Sequence, residues 1–308
     1  MTVRSSPGTD GPLAPRIRQR QEAVAAWCLS LPATLLLLLF LLGPAVAVVL
    51  LSLTDWQFGA PSLSFVGLGN FEAMAASRVF WRSLANTMLY VGIVVPVSVL
   101  LGLAAALLIE AGQALRAFYR AAYFLPVTST LIAMAIVWEF MLHPSVGLVN
   151  LLLGAIGVEP RDWLQDASTA LPTLAAIGVW QALGLNMVLF IAGLQSIPRI
   201  LYEALEIDGA RSAWDRFRLV TWPMLGPVTL FVVTITAIRS FQVFDTVAVL
   251  TDGGPNKATE VLLYSIYQEG FSFLRAGYGA ALTVVFLAFV LLLTLVQILW
   301  SERHVHYA

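Results

Sequence analysis

Long apolar runs are the feature of this 308-residue sequence that most constrains how the chain folds. A bilayer core needs about 20 apolar residues of helix, and six segments meet that requirement. Backbone polar groups find no water inside lipid, so a spanning segment satisfies them internally as a helix. The sequence therefore predicts an all-α membrane protein with six transmembrane helices, near residues 26–53, 84–109, 120–142, 171–194, 226–250 and 276–300.

Composition excludes an ordinary soluble domain and argues against an enzyme. Hydrophobic residues make up 59% of the chain and charged residues only 11%, whereas soluble domains carry about 25% charged residues. No loop between the apolar runs is long enough for a separate catalytic domain, and the sequence has no cluster of acid, base or metal-ligating residues. The single cysteine, Cys28, permits neither an intrachain disulfide nor a cysteine-based metal site.

The distribution of basic residues predicts the orientation of the chain in the membrane. With a cytoplasmic N-terminus, eleven Lys and Arg residues fall in inside segments and five in outside segments. Basic residues favour the cytoplasmic side, so both termini are expected there. This gives a cytoplasmic tail over 1–25, a transmembrane domain over 26–300 with a cytoplasmic loop at about 197–225, and a second tail over 301–308.

A polar, amphipathic segment, residues 202–224, interrupts this apolar chain. Ile200–Ile207 can form two helical turns, and Gly209 suits the left-handed conformation that ends a helix. Ser212 followed by Asp215 fits the N-terminal cap of a second short helix. These properties alone leave two interpretations open, a connector on the lipid headgroups and a docking site for a soluble protein.

The segment also carries a spaced motif, which consists of Glu203-Ala204, Asp208-Gly209-Ala210, Phe217, Pro223 and Pro227. Its spacing and its position between the fourth and fifth spans resemble the EAA loop of permease subunits from bacterial ATP-binding-cassette importers. Two positions depart from that pattern: Leu205 replaces the second Ala, and Trp222 replaces the Leu before the first Pro. Both replacements are larger apolar residues, which changes the expected local packing.

Further stretches resemble the carbohydrate subgroup of these permeases, from about residue 26 onward. They are Phe65–Phe71, Asn86-Thr87, Gly147–Asn150, Phe241–Asp245, Val249–Pro255 and residues 302–307. The resemblance implies the type I importer permease fold, in the branch where two different permeases form a heterodimer. It implies transport of a sugar or glycerol-phosphate-type compound across the bacterial plasma (inner) membrane.

The same resemblance implies partners and a coupling role for the motif. The partners are a second homologous permease, a dimer of ATPase subunits and an extracytoplasmic solute-binding protein, and nucleic acid is not among them. The residues expected to couple to the ATPase are Glu203, Ala204, Asp208, Gly209, Ala210, Phe217 and Pro223. ATP and Mg²⁺ would bind on the ATPase subunits, since this sequence has no Gly-x-x-x-x-Gly-Lys-Ser/Thr motif and is expected to hold no cofactor.

Polar residues inside the spans predict the substrate path. A charged group inside a bilayer costs about 2.5–3.5 kcal/mol on insertion scales, so it tends to face a cavity. Amide, charged and aromatic groups also suit the hydroxyl groups and apolar faces of a sugar. The candidates are Trp180, Gln181, Asn186, Arg239, Gln242 and Asp245.

Two alternatives to a substrate path remain open at this point. Amide groups often tie transmembrane helices together, and Arg239 and Asp245 can neutralise each other as an ion pair. The same two residues would suit a charge relay in an ion-coupled secondary transporter.

Overall fold

The computed structural model describes residues 14–112, 115–210 and 212–304. The outer parts of the two predicted tails, residues 1–13 and 305–308, lie outside this range. Apart from one isolated bridge between Thr54 and Phe65, the described residues form helices, turns and loops. The helices are α1 (Ala14–Leu37), α2 (Gly43–Leu51), α3 (Gly69–Ala76), α4 (Arg78–Ala111), α5 (Arg116–Thr128), α6 (Leu131–Met141), α7 (Leu148–Ala155), α8 (Ala170–Ser196), α9 (Arg199–Ile207), α10 (Ala213–Arg216), α11 (Trp222–Met224), α12 (Gly226–Phe241), α13 (Asp245–Leu250), α14 (Leu262–Tyr267) and α15 (Ala276–His304), with π-helical turns over Leu38–Leu42, Phe217–Thr221 and Gln268–Ser272.

Five of the six predicted spans are helices long and apolar enough to cross a membrane. They are Ala25–Leu51, Arg78–Ala111, Ala170–Ser196, Gly226–Leu250 and Ala276–Gln297. Each begins and ends within a few residues of the predicted segment, except that the second begins at Arg78 rather than near residue 84. This agreement confirms the interpretation of those apolar runs.

The third predicted span differs, because it consists of two helices, α5 and α6, bent by 104°. Helix α5 ends at Thr128, and Ser129 takes an extended conformation with ψ 144°. The hydroxyl groups of Thr128 and Ser129 donate to the carbonyl oxygen of Leu125, at 2.9 and 3.0 Å. Side chains that bind backbone groups in this way let a helix break at membrane depth. Apolar content alone therefore predicted the length of this segment but not its shape.

Helix α8 lies at the centre of the fold and packs against α4, α5 and α12. Close approach to α4 depends on Gly102, where an added Cβ would lie 2.7 Å from the Cβ of Asn186. Approach to α5 depends on Gly184, where a Cβ would collide with the carbonyl oxygen of Tyr123. Small residues that let backbones approach are typical of helix contacts in membranes.

Two elements lie at the periphery of this packing. The short apolar stretch after Gly147 forms α7. The first span packs on the rest of the bundle near its end, where α2 contacts α15. None of its most apolar residues is buried within the chain, so this surface is available to lipid or to another subunit.

We predict that Gly102→Ala lowers the stability of the protein and that Gly92→Ala does not. The first change forces α4 away from α8, and overpacking of this kind costs about 1–3 kcal/mol. Gly92 lies on the same helix with nothing within 4 Å of an added Cβ, and Ala is favoured over Gly in a helix by up to about 1 kcal/mol. Thermal unfolding of the purified protein in detergent measures both. Equal melting temperatures for the two variants would contradict the close contact.

Candidate functional site: the 202–224 segment and the central cavity

The 202–224 segment forms two short helices around a sharp turn, as the sequence predicts. Helix α9 ends at Ile207, and Asp208 is its C-terminal capping residue. Gly209 follows with φ +88°. The N–H of Gly209 donates to the carbonyl of Glu206, and that of Ala210 donates to the carbonyl of Leu205, both at 3.2 Å. This pair of bonds is the Schellman arrangement, which uses Gly because a Cβ disfavours the left-handed conformation.

The second helix begins at the predicted cap. The N–H of Asp215 donates to Oγ of Ser212 at 3.0 Å, and that hydroxyl donates to the Asp215 carboxylate at 2.5 Å. The chain then continues through the π-helical turn into α11 and α12. The two short helices are therefore part of one continuous connection between the fourth and fifth spans.

One side of this segment is anchored on the ends of the spans. Tyr202, Leu205 and Phe217 pack against a buried cluster formed by α4, α8 and α12. The hydroxyl groups of Tyr202 and Thr221 lie 3.0 Å apart, which ties the first helix to the turn that follows the second. Helix α9 is therefore in direct contact with the buried cluster at the ends of α4 and α8.

The other side of the segment is exposed and carries both charge and apolar surface. Glu203 and Asp208 are exposed, and in the described part of the chain their carboxylates have no ion pair. Arg211, the basic residue that follows Ala210 in the sequence, lies outside the described residues. Large apolar side chains are exposed beside them, namely Ile200, Ile207, Trp214, Leu219, Trp222 and Met224.

The predicted coupling residues therefore divide into two groups. Glu203, Ala204, Asp208, Gly209 and Pro223 are on the exposed side, while Ala210 and Phe217 are half-buried. Glu206, which the motif does not include, forms an ion pair with Arg216 at 3.4 Å. The guanidinium of Arg216 also lies over the Tyr202 ring, 5.4 Å from its centroid. These contacts hold the two helices together across the turn.

A cavity of about 270 Å³, with both polar and apolar groups in its wall, opens between α4, α8, α12 and α13. The chain leaves the helical conformation between Phe241 and Asp245, and this break contributes to the wall. Five of the six predicted path residues line the cavity, namely Gln181, Asn186, Arg239, Gln242 and Asp245. Thr246 lies in the same wall, and so do Tyr90 and Thr236, which the sequence did not point to. The apolar neighbours of Tyr90 and Thr236 gave no signal that these two side chains face the cavity.

The charges of the cavity are not neutralised by each other. Arg239 and Asp245 both line it, yet the described residues show no ion pair between them. Both are exposed, as is Gln242. Charged groups at membrane depth face water or another protein surface rather than lipid. This wall of the cavity is therefore a surface for water, a ligand or a second chain.

Asn186 differs from the other path residues in two ways. Its side chain is buried, and its amide group is hydrogen-bonded within the protein. Its Nδ2 donates to Oγ of Ser98 at 3.2 Å, and its Oδ1 accepts from Oγ1 of Thr236 at 2.8 Å. These bonds link α8 to α4 and α12. The sixth predicted residue, Trp180, is not part of the cavity wall and packs edge-on against Trp138, 5.4 Å between centroids.

The end of the bundle opposite the 202–224 segment is closed by the loop that follows α13. Nδ2 of Asn86 donates to the carbonyls of Lys257 and Glu260, and Oγ1 of Thr87 accepts from the N–H of Leu262. Asn86 and Thr87 therefore fasten this loop to α4.

Tyr264 is the second anchor of that loop. It donates to the Asp252 carboxylate and accepts from Nε2 of Gln268. Burial, together with the bond to Asp252, raises the pKa of Tyr264 to about 12. Among the described residues, no group of three or more His, Cys, Asp or Glu side chains is placed to hold a metal ion.

Comparison with known proteins gives one family and several close relatives. Residues 73–304 match the family described as "Binding-protein-dependent transport system inner membrane component". The sn-glycerol-3-phosphate transport system permease protein of Agrobacterium fabrum is 34% identical, over 92% of this chain and 97% of its own length. The trehalose/maltose transport system permease protein of Thermococcus litoralis is 33% identical, over 94% and 97%.

The fold is similar to that of a solved transporter chain. A chain from the crystal structure of a bacterial alginate ABC transporter, in complex with an alginate pentasaccharide-bound periplasmic protein, matches with a TM-score of 0.81. It is 21% identical, over 93% of this chain and 96% of that chain. The arrangement of spans is therefore shared with that transporter.

We predict that Asn186→Ala lowers stability by about 1–3 kcal/mol, because Ser98 and Thr236 each lose a buried partner. Gln181→Ala is the matched control, since it removes an amide from the same cavity that has no hydrogen bond within the described residues. Thermal unfolding in detergent distinguishes the two. An Asn186→Ala variant as stable as the control would show that the buried amide does not hold the helices together.

Proposed function

The chain belongs to the family of binding-protein-dependent transport system inner membrane components, and we propose that it forms half of the translocation path of an ATP-driven importer. The observation that carries this is the position of the family match, because residues 73–304 include both the 202–224 segment and the central cavity. Its multiple apolar helices make it a multi-pass membrane protein. We place it in the bacterial plasma (inner) membrane with both termini cytoplasmic, as the basic residues favour.

The second half of the path is a homologous permease subunit. The exposed Arg239, Gln242 and Asp245 support this, because they need a water-filled or protein-lined space at membrane depth. The uncovered first span supplies apolar surface for the same association. Such a heterodimer encloses the cavity, while the 26–300 domain remains the part that crosses the membrane.

The partner of the 202–224 segment is an ATPase dimer that binds ATP and Mg²⁺. Docking uses the exposed side of the segment, where Glu203 and Asp208 lie among uncovered apolar side chains such as Ile207, 86% exposed. Burial of apolar area supplies the affinity and charge supplies the specificity. This chain has no phosphate-binding motif, so it acts as a non-catalytic subunit and hydrolysis belongs to the partner.

The substrate is a sugar or a related polyol, delivered by an extracytoplasmic binding protein. The names of the relatives, which include trehalose/maltose, lactose and sn-glycerol-3-phosphate permeases, support this class. The cavity supports it too, because amide, hydroxyl and charged groups line it beside Tyr90 and Phe244. ATP binding closes the ATPase dimer, and the anchored 202–224 segment passes that movement to α4 and α8.

We predict that uptake depends on ATP and not on an ion gradient. The chain is purified as a complex with the second permease and the ATPase dimer. The complex is reconstituted in proteoliposomes with ATP inside and the binding protein outside. Radiolabelled trehalose, maltose, lactose or sn-glycerol 3-phosphate is added outside. Accumulation should require ATP and fail with a non-hydrolysable analogue. Accumulation that needs no ATP and follows an imposed proton or sodium gradient would instead support an ion-coupled transporter using Arg239 and Asp245.

We predict that Gly209→Pro abolishes ATP-driven uptake while leaving the subunit inserted and assembled. Proline fixes φ near −65° and has no N–H, whereas Gly209 has φ +88° and donates to Glu206.

Gly157→Pro is the matched control for this change. Gly157 has φ +85° and donates to Gly154 in an equivalent turn after α7, with nothing within 4 Å of an added Cβ at either glycine. That turn lies at the other end of the bundle, so its loss should leave coupling intact. Normal uptake with Gly209→Pro, or equal loss in both variants, would contradict the coupling role.

A further inference from the structure

Five aromatic rings form a continuous row that joins the central cavity to a second cavity at the opposite end of the bundle from the 202–224 segment. Consecutive centroids are 4.9, 6.5, 5.8 and 5.2 Å apart. The row, called here the aromatic row, consists of Trp56, Phe58, Phe271, Tyr267 and Phe244. Phe244 lines the central cavity and Trp56 lines the second one.

Backbone contacts between distant parts of the chain hold the rings in line. The N–H of Phe58 donates to the carbonyl of Leu274 at 2.9 Å, and the N–H of Gly277 donates to that of Trp56 at 2.8 Å. These bonds fasten the loop after the first span to the start of α15. Tyr267 and Phe271 are four residues apart on one helical segment and therefore share a face. At the inner end, Tyr264 packs against both Phe244 and Tyr267.

The rings in the middle of the row are uncovered. Phe271 is 66% exposed, Phe58 is 45% exposed and Tyr267 is 43% exposed. Phe58, Phe271 and Tyr267 are also stacked with interplanar angles of only 26° at each step. Successive uncovered rings form one apolar strip rather than a set of isolated side chains.

The second cavity adds polar groups at the outer end of the strip. It has a volume of about 440 Å³. Asp55, Gln57, Glu269 and Arg275 line it together with Trp56 and Tyr278. Glu269 and Arg275 form an ion pair, and Arg275 also lies over the Tyr278 ring at 5.3 Å. Two carboxylates against one guanidinium leave an excess of negative charge, which disfavours an anionic ligand.

We propose that the aromatic row guides the ring of a neutral saccharide from the second cavity to the central cavity. This inference rests on the proposed importer function and narrows its substrate class. A pyranose has an apolar C–H face that packs on an aromatic ring, and hydroxyl groups at its edge that bind polar side chains. Polar groups lie beside Trp56 at the outer end, aromatic rings follow along the strip, and polar groups lie beside Phe244 again at Gln181, Gln242 and Asp245. An acyclic phosphate has no apolar face and meets the excess carboxylate charge.

The test uses the reconstituted complex and Phe271→Leu, which keeps an apolar side chain of similar volume but removes the flat ring. We expect the maximum rate of trehalose, maltose or lactose uptake to fall by about three- to tenfold, the range expected for the loss of one aromatic contact. Stimulation of ATP hydrolysis by the loaded binding protein, and co-purification of the second permease, should stay unchanged. Phe271→Tyr should restore uptake, because it restores the ring.

Phe65→Leu is the control for a general effect of exposed aromatics at this end of the bundle. Phe65 is 76% exposed and, within the described residues, makes no ring contact with the row. Its uptake rate should equal that of the unaltered protein. An equal loss in Phe65→Leu would assign these rings to the lipid interface, and loss of the second permease from Phe271→Leu would assign them to the subunit contact. Either result overturns the proposal.

Further outcomes separate this proposal from the importer function on which it rests. Unchanged disaccharide uptake in Phe271→Leu, or an unaltered complex that carries only sn-glycerol 3-phosphate, overturns the aromatic row but leaves ATP-driven import standing. An unaltered complex that accumulates none of the four solutes with ATP refutes the import of this substrate class, and the proposal fails with it.

Discussion

The close packing of α8 against α4 is the contact on which the rest of the structure depends. Gly102 lets the helices approach until the Asn186 side chain fits between them, and the amide then bonds to both Ser98 and Thr236. Lipid offers no hydrophobic drive for helices to associate, so van der Waals contact and buried hydrogen bonds supply it. Because α5 and α12 pack on the same helix, the walls of the central cavity take their positions from this one contact. The main role of Asn186 is therefore to hold together the helices that form the cavity wall.

The same helix connects the cavity to the 202–224 segment. Only Ile197 and Pro198 separate α8 from α9, and Ile197 is buried in the cluster that also receives Tyr202 and Leu205. The segment is therefore rigidly seated on the spans at one side and uncovered on the other. That arrangement suits the transmission of movement, since a flexible connector would absorb a displacement applied to its exposed side. The bonds around Gly209 and the ion pair of Glu206 with Arg216 keep the two short helices as one unit.

Some parts of the site were predictable from sequence because the responsible interactions are local. The turn at Gly209 and the cap at Ser212 depend on residues at most a few positions apart, and both formed as predicted. Gln181, Arg239, Gln242 and Asp245 were identifiable because polar groups are rare in apolar spans, and all four line one cavity. Trp180 carried the same signal but packs on Trp138 instead. The roles of these residues in coupling and transport stay predictions.

The sequence by itself determined the membrane environment, the number and places of the apolar segments and the helix–turn–helix of the 202–224 segment. Each of these follows from the length of an apolar run or from short-range backbone chemistry. Only the tertiary structure decided the break between α5 and α6, the separation of Arg239 from Asp245 and the bonding of Asn86 to the loop after α13. It also decided the aromatic row, whose members come from residues 56 to 271. Contacts between residues so far apart in the chain depend on how helices pack, which periodicity and composition do not encode.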